Sequence, residues 1–96
     1  MQFLVIYRLR SSSEESDRRT LQLFSSWAPP FEFKAHWARG DGEGGVALVE
    51  VDSAAQVLEG TAPWTAYFQF DVTPAIPIEE AIPLFQKANE WRAAVG

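Results

Sequence analysis

Ninety-six residues, 47% apolar and 22% charged, suit one globular domain. A net charge of −5, with no basic stripe around Arg18 and Arg19, counts against nucleic acid and against an anionic membrane surface as partners. With no cysteine and a single histidine there is no disulfide framework, no thiolate nucleophile and no set of zinc ligands, so neither a metal nor a cofactor is expected.

Gln2 to Leu9 is a dense aliphatic and aromatic run that reads as a strand apolar on both faces, hence central in its sheet. It lacks the basic start and small-residue cleavage site of a signal peptide. No run approaches the ~20 apolar residues of a membrane-spanning helix. A cytoplasmic location is the expectation.

Ser12 with Glu15 fits a capping box, and Glu14, Glu15 and Asp17 suit the positive end of a helix. Leu21 and Phe24, with Leu23 and Trp27 beside them, form its apolar stripe, and Pro29-Pro30 stops it. Phe31 to Arg39 alternates: Phe31, Phe33, Ala35 and Trp37 share one face, and Glu32, Lys34, His36 and Ala38 the other. Gly40 to Gly45 is a turn into a strand over Val46–Val51, giving a β-hairpin. Ser53 with Gln56 opens a short helix for which Gly60 is a good stop. Thr65 to Ala75 alternates again, with Phe68, Phe70 and Val72 opposed to Tyr67, Gln69, Asp71 and Thr73. Pro77 begins a last helix lined by Leu84, Ala88, Trp91 and Val95, which Pro83 is expected to kink or divide.

The order β–α–β–β–α–β plus a C-terminal helix is the split βαβ arrangement, a ferredoxin-like α+β fold with both crossover helices on one face of a four-stranded antiparallel sheet. The other face stays open in one chain, and the doubly apolar first strand argues that a second copy covers it. Residues 1–96 are therefore read as one domain that forms a homodimer. Phe31, Phe33, Phe68 and Phe70 are expected beneath the helices, with Trp27 and Trp91 in the core.

Trp37 near the end of its strand, Val49-Glu50-Val51-Asp52 before a helix, Pro63-Trp64 and Phe68–Pro74 together resemble the uncharacterised DUF3303-type family of the dimeric α/β-barrel superfamily over about residues 1–76. The resemblance implies a dimer whose two sheets form a barrel, with a cavity inside the barrel or between sheet and helices. Proteins of this fold include cofactor-independent enzymes, haem enzymes and ligand-binding regulatory domains, so the fold alone does not choose a function.

Two residues stand out as candidate catalytic groups. His36 titrates near neutrality, as a general acid or base must, yet a solvated histidine reads the same way. Glu50 interrupts an apolar strand, where a buried carboxylate needs a partner or a raised pKa; a structural ion pair is the alternative. Tyr67, Gln69 and Asp71 are candidate ligand-binding residues that, with His36 and Glu50, line a polar cavity on the non-helical face; a solvated face or a dimer interface fits them equally. Trp37 is the remaining candidate, an aromatic wall for a flat ligand or a packing residue of the core or dimer. Trp64 is a second aromatic wall or a core residue. The Gly40–Gly45 segment joins two strands and is a hairpin turn, not a phosphate loop.

These residues point to a small protein that binds or transforms an apolar or aromatic metabolite without a cofactor. The alternative is a non-catalytic module for dimerisation, ligand sensing or assembly.

Overall fold

The computed structural model describes every residue from Met1 to Gly96. β1 (Gln2–Leu9) leads to α1 (Glu14–Ser26), the hairpin β2 (Glu32–Ala38) and β3 (Gly44–Glu50), then α2 (Ala54–Thr61) and a 3-10 turn over Ala62–Trp64, then β4 (Phe68–Ala75) and α3 (Ile78–Val95). The sheet order is β2-β3-β1-β4 and every pairing is antiparallel. This is the ferredoxin-like α+β order expected from the sequence, with the doubly apolar strand in the interior of the sheet.

Phe3 and Val5 of β1 and Ala47 and Val49 of β3 point to one side and are buried with Val51 and with Val57 of α2. Val49 is fully buried. Leu4, Ile6, Val46 and Leu48 point to the other side, where no helix covers them, and are only partly shielded. The expected phenylalanine set lies on the helix side, but Phe31, Phe33 and Phe70 are half-buried and pack against this core rather than forming it.

Several local rules act one step away from where the sequence pattern put them. The N-cap of α1 is Ser13, not Ser12, and its reciprocal partner is Ser16 rather than a glutamate. The Ser16 N–H donates to Ser13 Oγ at 3.0 Å, and the Ser13 N–H donates to Ser16 Oγ at 3.1 Å. Ser53 caps α2 as expected, but the helix runs through Gly60 instead of ending there. A Cβ at Gly60 would lie 2.2 Å from the ring of Phe31, so this glycine is a contact point between helix and ring and not a terminator. The Gln56 side chain ties the start of α2 to the preceding loops. It accepts from the Asp52 N–H at 2.7 Å and donates to the Pro30 carbonyl at 2.5 Å.

α1 and α3 depart furthest from a packed arrangement. No residue of α1 is buried, and Leu21 and Phe24 of its apolar stripe remain largely exposed. α3 runs without interruption through Pro83 and has one buried residue, Ala81. It makes no extensive contact with any strand or helix. Trp91, expected in the core, is 66% exposed. The molecule is accordingly elongated, 58 × 27 × 19 Å, with a radius of gyration of 17.4 Å. A compact chain of this length has a radius of about 12–13 Å. No helix is long and apolar enough to cross a membrane.

Candidate functional site

A one-residue irregularity decides which side chains meet. β2 pairs Phe33 with Val49 and then Ala35 with Leu48, so Lys34 is a β-bulge. Beyond a bulge the alternation of faces is reset. His36 therefore pairs with Ala47 and turns to the helix side with Phe33, while Trp37 pairs with Val46 and turns to the open face. This reverses the faces that strict alternation assigned to His36 and Trp37. The imidazole stacks on the Phe33 ring with centroids 4.7 Å apart and planes at 5°.

Across the sheet, Tyr7 of β1 reaches the same place. Its register partner on β3 is Gly45, and a Cβ there would fall 2.3 Å from the Tyr7 hydroxyl and 2.7 Å from the Trp37 carbonyl. The missing side chain opens a path over β3, and the Tyr7 hydroxyl lies 2.6 Å from His36 Nε2. Burial lowers the His36 pKa from its ordinary 6.5 and raises that of Tyr7 from 10.0. Both groups are thus uncharged at neutral pH and share one hydrogen bond, in which the imidazole tautomer sets the donor.

The pair sits beside an apolar groove of about 190 Å³ between the sheet and α1. Val5, Phe33 and Phe70 form its floor, Phe24 of α1 and Trp27 at the C-cap of that helix form one wall, and Trp64 lines it as well. The rings meet at tilted and edge-to-face angles: Trp27 and Trp64 have centroids 5.3 Å apart at 78°, and Tyr7 and Phe68 5.1 Å apart at 84°. Such contacts stabilise aromatic clusters beyond simple burial, by about 0.5–1.5 kcal/mol per pair. Trp64 Nε1 is buried without a polar partner among these rings. No Asp, Glu, Lys or Arg lines the groove.

The other candidate residues lie elsewhere. Glu50 is on the open side, as its place in β3 requires, with Val49 and Val51 buried on the helix side. It is not enclosed: its side chain is 39% exposed and pairs with the Met1 ammonium at 2.9 Å. That hydrogen bond holds the Glu50 carboxyl below its ordinary value, opposite to the raised pKa a buried proton shuttle requires. The sheet separates Glu50 from His36, so the two form no pair. Gln69 and Asp71 are exposed on the open face of β4, and Trp37 is 59% exposed on the open face of β2. Tyr67 precedes β4 and faces a shallow polar hollow with Ser16 and Arg19 of α1. Of the sequence-derived candidates, His36 and Trp64 reach the groove and Glu50, Trp37, Tyr67, Gln69 and Asp71 do not.

Tyr7 had no distinguishing mark within an apolar strand. The available signal was a glycine inside a strand: Gly45, placed opposite β1, marks a close approach by a neighbouring group.

The fold and groove together define a small ferredoxin-like α+β protein with an aromatic pocket between its helix and sheet layers. The family model described as "Domain of unknown function (DUF3303)" matches residues 1–89, and the chain belongs to that family. The match runs past the sheet into most of α3, so the projecting helix is part of the family's domain. No curated protein matches the chain.

Proposed function

We propose that the protein binds a small, flat, uncharged apolar molecule in the groove between α1 and the sheet, with the Tyr7–His36 pair as its polar anchor. The observation that carries this reading is the lining: aromatic rings on the floor and walls, no charged side chain, and one neutral hydrogen-bonded pair beside it. Ligand sites have this composition, apolar walls with a few polar groups that fix orientation. A volume of about 190 Å³ suits a ligand of one or two rings; an apolar cavity of roughly 150 Å³ takes up benzene. A charged ligand would lose its hydration without gaining a counter-ion. A hydroxyl or carbonyl on the ligand would exchange hydrogen bonds with His36 or Tyr7, and a ligand with an acidic proton would meet a neutral imidazole able to accept it.

The pairing implied by the dimeric α/β-barrel resemblance, sheet against sheet, uses the opposite face and leaves one groove on the outside of each chain. The ligand proposal is therefore independent of how the open face is closed.

Titration with phenol and with indole, followed by 15N and 13C NMR, tests the reading. The expected result is a saturable set of shifts at Tyr7, His36, Trp64 and Phe70, with Trp37, Gln69 and Asp71 unmoved. Shifts confined to the open face, or no saturation at millimolar probe, would overturn it.

A further inference from the structure

Two large apolar surfaces on this chain have no partner within it. One is the open face of the sheet, where Leu4, Ile6, Val46, Leu48 and Trp37 are adjacent through the strand register. The other is α3, on which Ile78, Ile82, Leu84, Phe85, Trp91 and Val95 are 46–69% exposed. At 100° per residue these six side chains occupy one half of the helix circumference, and Glu79, Gln86, Lys87 and Glu90 occupy the other. A monomer rarely leaves an apolar patch of more than about 300–600 Å² in water.

We infer that α3 is an exchange arm: it crosses to a second copy of the chain and lies on that copy's open sheet face, and the second copy's α3 returns the contact. The dimensions agree. Eighteen helical residues span about 27 Å, and eight-residue strands span about 26 Å. Stacking the two sheets directly would bury the open faces and leave the apolar halves of both α3 helices in water. Exchange buries both surfaces of each chain at once, toward the roughly 800 Å² per partner that a stable dimer requires.

Charge placement agrees too. Arg92 lies seven residues after Phe85, on the apolar side of α3, and its side chain bonds only Asn89. Asp71 stands on the open face beside Ile6. Neither has an ionic partner within its own chain, where the ion pairs are Met1–Glu50, Lys34–Glu32 and Arg39–Asp41. In the exchanged dimer each Arg92 meets the Asp71 of the other copy, one pair at each end of a two-fold interface.

The absence of native cysteine makes the test direct. Full-length Leu48→Cys and Leu84→Cys variants are mixed at micromolar concentration and treated with a short bismaleimide, beside sedimentation of the unmodified chain. The expected results are a dimer mass and a cross-link joining the two different variants. A monomer mass overturns the proposal. So does linkage of Leu48→Cys only to itself, which is sheet-on-sheet stacking. Intramolecular linkage in a diluted double variant, which is α3 folded back on its own sheet, overturns it as well. Charge reversal reads the same contact without cross-linking. Arg92→Asp and Asp71→Arg each weaken the dimer about tenfold, and the two changes in one chain restore it; no restoration rejects the seating of α3.

Discussion

Phe3, Val5 and Val49 on one side of the sheet are buried with Val57 of α2, whereas their strand neighbours Leu4, Ile6 and Leu48 on the other side have no helix above them. The side chains on the two faces are alike in kind. What separates them is the cover, and the cover on the helix side is itself uneven. α2 seals one end of that face, with Gly60 allowing the Phe31 ring to touch the helix. α1 stands off the other end and leaves the aromatic groove. Burial in this protein thus falls in three grades: a sealed core under α2, a half-open pocket under α1, and an open face.

The contrast between the faces is broken most strongly by paired truncations. Phe3→Ala should cost about 3–5 kcal/mol, as for a fully buried ring, while Leu4→Ala should cost under about 1 kcal/mol in dilute solution. Urea denaturation at nanomolar and at high micromolar concentration checks both. If the open face is covered in a dimer, the Leu4→Ala cost rises with concentration and the Phe3→Ala cost stays fixed.

A smaller effect sharpens the boundary between core and pocket. Gly45→Ala places a methyl group against the Tyr7 ring and the Trp37 carbonyl. The expected loss is about 1–3 kcal/mol, as for an overpacked site. The Tyr7–His36 hydrogen bond should be lost with it, which the imidazole 15N shifts report. Retention of that bond in Gly45→Ala would show that the ring does not need the space over β3.

The smallest effect is that of pH. The folded pKa of His36 lies below 6.5 because burial disfavours the imidazolium. The unfolded chain therefore binds more protons between the folded value and 6.5. The stabilisation linked to His36 is present above about 6.5 and is lost as pH falls through the folded pKa. Because His36 sits at the edge of the groove and is partly solvated, a fraction of a kcal/mol is the expected size. NMR titration gives the pKa, and His36→Gln should flatten that part of the stability profile.

Strand existence and order were legible because period-two runs such as Phe68-Gln69-Phe70-Asp71 declare both the strand and its faces. The central place of β1 followed from its two apolar sides. The site was legible only in part. The bulge at Lys34 leaves no mark in a run that alternates without a break from Phe33 to Trp37, so strict alternation assigns His36 and Trp37 to each other's faces. The apolar strand around Glu50 points to burial, yet Glu50 closes the end of β3, beside the Met1 ammonium and within reach of water. The stand-off of α1 and the reach of α3 are tertiary facts. An amphipathic stripe states that a helix has an apolar side, not how close its partner lies or to which molecule that partner belongs.

The bulge has one more consequence. β2 and β4 are the two outer strands, and each carries unpaired backbone groups along one side. Outer strands invite open-ended polymerisation, strand added to strand, into fibrils. At β2 the extra residue interrupts the ladder and exposes a lysine at the interruption; at β4, Pro74 has no N–H to offer a newcomer. Both borders of the sheet thus resist templated growth, strand upon strand, without limit.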